Sequence, residues 1–301
     1  MTKPEARHAG DYAHLFVIYV VWGTAYLGMK LALGGPDPLT AFQLQAARLL
    51  LGGGIIAIIA WRARAFRPMT RRQWAVIALG ALLFWIFGNG FAMLATRELP
   101  SAFVAMAMGT IPLWSIVFHA LRDRRLPSAP GAVLLGFAGL LLIYLPALTA
   151  TTDFAGVSVW GPLLLFLAPI GWVAATMLQG PLAGLDPMAT ASLQLMLGGV
   201  YAGVIALVEG VPLQAVPGTQ SLIATLYLAV IGSALSFLSY VKAASRFSPR
   251  VVAAFAYVNP IVGVGLGWLV LGEKPAPVAF GGMALVTASV VLTLRAASRR
   301  R

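Results

Sequence analysis

The 301-residue sequence has no cysteine, which excludes disulfides, thiolate catalysis and cysteine-ligated metals. Its three histidines, His8, His14 and His119, are widely separated and form no HxxxH or HxH spacing, so neither a metal nor a cofactor is expected. Acidic residues are few: Glu5, Asp11, Asp37, Glu98, Asp123, Asp153, Asp186, Glu209 and Glu273 all fall in connections or at the ends of apolar segments. Paired-carboxylate hydrolysis is thereby removed. A serine-protease reading fails too, because GSALS (232–236) has a serine but no late-segment histidine to act as its base. The chain is not expected to be an enzyme. Charged residues make up 10% of the chain, against roughly 25% in a soluble domain. There is too little polar material to coat a core of this size, and the bilayer is the alternative solvent.

What the sequence does have is apolar length. Hydrophobic residues are 60% of the total, and they gather into ten segments near 13–33, 39–60, 73–94, 99–119, 129–147, 157–179, 187–208, 219–241, 248–270 and 276–295. Each is close to the ~20 helical residues that cross a hydrocarbon core. The first is too long for a signal-peptide core, and no small-residue cleavage pattern follows it.

With the N-terminus placed inside, seventeen of the 21 Lys and Arg residues fall on cytoplasmic connections or tails. Lys30, Arg97 and Lys274 fall outside, and Arg48 lies within a segment. The positive-inside rule then predicts a multi-pass protein of the cell's inner (plasma) membrane with both termini cytoplasmic. The net charge of +12 is read as topology signal and contact with anionic lipid rather than nucleic-acid binding. Membrane lipid and a small-molecule substrate are the expected partners, and a monomer is the expected state.

The halves resemble each other. A shift of 148 lays FVAMAMGTIPLW (103–114) on VVAAFAYVNPIV (251–262), Pro112 on Pro260 and Pro127 on Pro275. A shift of 149 lays PDPLTAFQLQ (36–45) on LDPMATASLQ (185–194). We therefore expect an internal duplication, residues 1–148 and 149–301, with five spans in each copy. An odd number of spans per copy inverts the second relative to the first, the design of many secondary transporters. The fold class expected is an all-α integral membrane protein, ten helices arranged as two five-helix inverted repeats around a central cavity.

WGTAYLGMK (22–30) resembles the first-helix motif of the drug/metabolite transporter superfamily in its ten-helix EamA-type branch. Pro249–Gly282, with Pro260, LGEKP (271–275) and Gly281–Gly282, is similar to that branch's C-terminal repeat, and the likeness extends over essentially the whole chain. Within the branch the chain is most similar to YddG-type amino-acid exporters. The resemblance implies export of small metabolites through a cavity formed mainly by helices three, four, eight and nine, with one and six contributing. One departure stands out: Arg125 occupies the first-copy position of Glu273.

Several residues could line such a cavity. Ser233, Ser236 and Tyr240 share one face of the eighth segment, and the shift of 148 pairs them with Trp85, Gly88 and Ala92 beside Asn89. Small residues there could equally serve helix packing. Trp22, Tyr26, Trp85, Trp114, Trp172, Tyr240 and Tyr257 could embrace an apolar or aromatic solute or simply pack, whereas Trp61, Trp74 and Trp160 suit the interfacial belts. Arg48 lies about 13 Å from the outer end of its segment. It could anchor a substrate carboxylate, but a tether to backbone carbonyls or to Gln43 and Gln45 is the favoured role. Asn259 could serve substrate or backbone groups freed by Pro260, with repair favoured, and Pro112 and Pro260 are candidate hinges. The resemblance and the cavity candidates together imply export of neutral or aromatic amino acids by alternating access, and with no midplane carboxylate uniport is expected at least as much as proton antiport. The alternatives are a proton antiporter, or a drug or nucleotide-sugar transporter of the same superfamily. Glu273 and Lys274 are read as a repeat boundary rather than a binding site.

Overall fold

Short polar side chains start several of the long helices. Thr40 and Thr70 each accept the backbone N–H three residues on (3.2 Å), while Gln43 and Gln73 reach back to the cap's own N–H (3.0 and 2.9 Å). Asp186 does the same work alone, accepting from Met188 and Ala189 N at 2.8 and 3.1 Å. These caps satisfy N–H groups that have no partner inside the helix, a need that water cannot meet within a bilayer.

The computed structural model describes residues 8–149, 157–211, 217–248, 251–252 and 254–299. Lys3, Arg7, Arg250, Arg300, Arg301, Glu5 and Asp153 of the charge reading lie outside them. Among the described residues every regular element is helical. Ten apolar helical stretches follow in order: α1 (Ala9–Val21 and Ala25–Ala32), α2 (Ala41–Arg62), α3 (Arg71–Glu98), α4 (Ser101–Arg122), α5 (Pro130–Leu148), α6 (Trp160–Met177), α7 (Pro187–Val208), α8 (Thr219–Arg246), α9 (Phe255–Leu271) and α10 (Pro277–Arg299). Seven are single helices long and apolar enough to cross a membrane, the bent pair of α1 makes an eighth, and α9 and α10 are shorter apolar helices. Short connections make successive helices antiparallel. The start of α1 and the end of α10 therefore share one face, called here the terminal face, and the opposite side is the far face.

Two helix pairs dominate the packing, α2 with α7 and α5 with α10, each joining equivalent helices of the two sequence halves. Glycine makes the second pair close. A Cβ on Gly139 would lie 2.6 Å from the Gly282 carbonyl oxygen, and one on Gly136 would lie 2.6 Å from Ser289 Oγ. Contact of this kind is how helices associate where apolar burial gives no net drive.

The structure departs from the expected helices at identifiable places. The segment expected as one helix over 13–33 bends by 47° between Val21 and Ala25. At the bend Thr24 Oγ1 donates to Val21 O (2.6 Å), and Gly23 lies so near α9 that a Cβ would sit 2.7 Å from Val262 Cβ. Pro112 stands in the first turn of a new helical piece, after a break at Gly109–Thr110, whereas Pro260 sits inside a continuous helix. Wide π-type turns occupy Leu82–Gly88 in α3 and Leu228–Leu235 in α8, at matching places in the two halves. Such turns leave carbonyls underused and are common at functional sites.

Candidate functional site

The broken and widened helices converge. Between them lies a cavity of about 120 Å³, lined from α1, α2, α3, α4, α6, α7, α8 and α9 but not from α5 or α10. At one water per ~10–15 Å³ by this measure, the space holds on the order of ten water-sized groups. Trp22, Tyr26, Arg48, Trp85, Asn89, Ser233, Asn259 and Pro260 all line it, as does Trp172. Six of the nineteen lining residues are aromatic: Trp22, Tyr26, Trp85, Trp172, Phe237 and Phe255. Trp172 meets Trp85 edge-on at 6.1 Å and Phe84 at 5.0 Å.

Four candidates from the sequence lie elsewhere. Ser236 is turned away to donate to Ile231 O (2.8 Å), five residues back, closing a gap opened by the π-type turn. A face computed at α-helical spacing does not survive a change of helical pitch. Tyr240 instead joins Trp22 and Phe255 in an aromatic cluster on the terminal side of the cavity, at centroid distances of 5.6 and 6.2 Å. Tyr257 packs against the Leu113, Val133 and Val290 core. Trp114 also leaves the site and stacks edge-on with Phe137 and Phe166.

Arg48 is 4% exposed and sits about 10 Å along α2. Neither expected glutamine tethers it: Gln45 donates to Trp85 O (2.7 Å) and Gln43 to Val211 O (3.2 Å). Its Nε donates instead to Ser233 Oγ and its Nη1 to Asn89 Oδ1, both at 3.2 Å. Both partners are neutral. A buried guanidinium with no counter-charge carries a penalty of several kcal/mol.

Asn259 repairs a different helix from the one expected. In the orientation that its surroundings require, its amide nitrogen donates to Tyr19 O (2.7 Å) and Ile18 O (3.1 Å), tying α9 to the π-type turn of α1. The sequence reading missed Met108, Gly109, Ile111, Leu195, Phe237, Phe255 and Ala256 among the lining residues. Two of these had a signal. A proline has no N–H, so the carbonyl four residues earlier loses its helical donor. For Pro260 that residue is Ala256, while Met108 is the last residue before the break at Gly109–Thr110, so its carbonyl also has no helical donor, and both line the cavity.

The far face is tied by polar groups that cross between helices. Glu273 accepts from Ser101 N (2.7 Å), Ala102 N (2.8 Å) and Ser101 Oγ (3.1 Å), so it caps α4 from the α9–α10 connection. Lys30 donates to Thr96 O and Leu99 O, both at 2.9 Å, at the end of α3. Beneath them Met29, Ala32, Leu44, Met93 and Leu228 form a fully buried apolar plug. On the terminal side α1 is held to the second half by an Arg246–Asp11 ion pair (3.3 Å), a His14–Ser239 hydrogen bond (3.1 Å) and Tyr19 donating to Val251 O.

The sequence model of the EamA-like transporter family matches residues 12–145 and 159–295. The chain is 25% identical over 285 residues to the "Uncharacterized inner membrane transporter YedA" of Escherichia coli K12, covering 93% of this chain and 89% of that protein. It is 28% identical over 288 residues to "Protein PecM" of Dickeya dadantii, covering 94% and 91%. A solved structure described only as a crystal structure of a protein superimposes with a TM-score of 0.62 over 97% of this chain and 99% of the other. At 19% identity that likeness shows the fold alone.

Proposed function

The chain belongs to the EamA-like transporter family and is a membrane transporter, and from that premise we propose that it exports neutral or aromatic amino acids from the cytoplasm by alternating access. The observation that carries this reading is the aromatic-walled cavity between the helix sets, sized for a small metabolite. The substrate binds there, and the two halves, residues 1–148 and 149–301, rock about it as inverted copies. Pro112 and Pro260, at matching positions in α4 and α9, act as the hinges. The terminal face is cytoplasmic, in the inner membrane, as the charge bias requires. No acidic side chain lines the cavity among the described residues, which favours uniport over proton antiport.

The test is uptake of a labelled amino-acid panel into proteoliposomes, with and without a proton gradient. Saturable uptake of neutral or aromatic members is expected, changing less than about twofold with the gradient, since no midplane carboxylate is available to carry the proton. Absence of transport for every amino acid would sink the substrate assignment, and strict gradient dependence would sink uniport. A reporter fused after Arg301 should be active only in the cytoplasm; external activity contradicts the topology.

A further inference from the structure

Taking the amino-acid reading as its basis, we infer that the cavity is built for a zwitterion, with Arg48 holding the substrate carboxylate and the Met108 and Ala256 carbonyls holding its ammonium.

The polar groups of the cavity divide into donors and acceptors. On one side stands Arg48, buried, with five N–H donors of which Ser233 and Asn89 each take one. Among the described residues no carboxylate reaches it. The groups around it offer more donors. Asn89 spends its oxygen on Arg48 and keeps its NH2, and Ser233 accepts with its oxygen and keeps its hydrogen. A cluster of donors around an uncompensated guanidinium has one natural complement, a carboxylate able to accept several of them at once.

The other side is α4 and α9, where the break at Gly109–Thr110 leaves the Met108 carbonyl, and Pro260 the Ala256 carbonyl, without a helical donor. An ammonium has three donors and no acceptor, which suits them. A simple cation would be repelled by Arg48, and a simple organic anion would leave both carbonyls unpaired in an apolar wall. A nucleotide sugar would need more than one basic side chain, and among the described residues Arg48 is the only one lining the cavity. A zwitterion with an apolar body uses every group.

The test measures competition binding to the purified full chain in nanodiscs. The twenty standard amino acids are screened first, and the tightest is compared with its amide, which lacks the carboxylate, and its deaminated acid, which lacks the ammonium. Each analogue is expected to bind about 10- to 100-fold more weakly, the range for leaving one buried polar group unpaired. Arg48→Gln should abolish the preference over the amide while sparing the preference over the deaminated acid. Arg48→Lys should keep part of it, as a point charge without the planar fork. Pro260→Ala restores an N–H for the Ala256 carbonyl and should reduce only the preference over the deaminated acid. Should the Arg48 variants fail to fold, Ser233→Ala is expected to weaken discrimination against the amide several-fold, by loosening the guanidinium. An analogue that binds as tightly as its parent, or variants that leave both preferences intact, would overturn the inference while the transporter reading stands. Silence across the whole panel would overturn the amino-acid reading itself.

Discussion

Replacing Gly139 by leucine is expected to lower the melting temperature of the protein by about 3–6 °C, the shift that ~2–4 kcal/mol of overpacking produces in a chain of this size. The cause is geometric. A Cβ at this position would meet the Gly282 carbonyl oxygen at 2.6 Å, Leu285 Cβ at 2.9 Å and Val286 N at 2.9 Å. Two of these three atoms are backbone, so no rotamer change relieves the clash and α5 must part from α10. Gly281 supplies the control. A Cβ there has nothing within 4 Å, so Gly281→Leu should leave the melting temperature unchanged. The α5–α10 pair lines no part of the cavity, so the variant that does fold should bind its substrate as the parent does. Fluorescence-detected size exclusion after heating reads all three chains. Equal melting of the Gly139 and Gly281 variants would mean that this interface does not hold the halves together.

Removing the carboxylate of Glu273 is expected to have the second largest effect, and it concerns opening rather than stability. Ser101 and Ala102 are fully buried and depend on Glu273 for their N–H groups. Loss of that cap in Glu273→Ala costs roughly 2 kcal/mol, about a 30-fold shift toward the state in which the far face has parted. The contact joins α4 of the first half to the α9–α10 connection of the second, so it must break when the halves separate there. Because the chain has no cysteine, one introduced at Met29, the plug residue that also lines the cavity, is a clean reporter. Its labelling by an impermeant maleimide from the far side should rise by about tenfold or more in the Glu273→Ala background. An unchanged rate would make the contact a local helix cap with no part in gating.

How much of this could be read from residues alone depends on the kind of feature. Apolar length located the ten helical stretches seen among the described residues, because the cost of unpaired backbone in a bilayer leaves few alternatives. The offset of 148 also marked where the prolines and π-type turns recur. Function within matched positions was harder to see. The paired Asp-Pro motifs do different work: Asp186 caps α7, while Asp37 takes a left-handed φ of 47° and Thr40 caps α2. The Leu-Gln pairs diverge as well, with Gln45 bonding to Trp85 O and Gln194 to the side chain of Gln179. Glu273 was read as a boundary because its partners lie about 170 residues away, beyond any local pattern. One trace of its role was present. Its counterpart at the shift of 148 is Arg125, so the carboxylate is not repeated in the first half of the sequence. Arg48 was legible as a buried charge, but the identity of its partners came only with the fold.

The account rests on one solute site that faces the two sides of the membrane in turn, and counterflow tests this most directly. Proteoliposomes are preloaded with an unlabelled amino acid and diluted into labelled solute with no ion gradient. Alternating access predicts saturable uptake that overshoots and that accelerates with the preload. Flux that rises linearly with concentration and ignores the preload would contradict the account and describe an open pore instead.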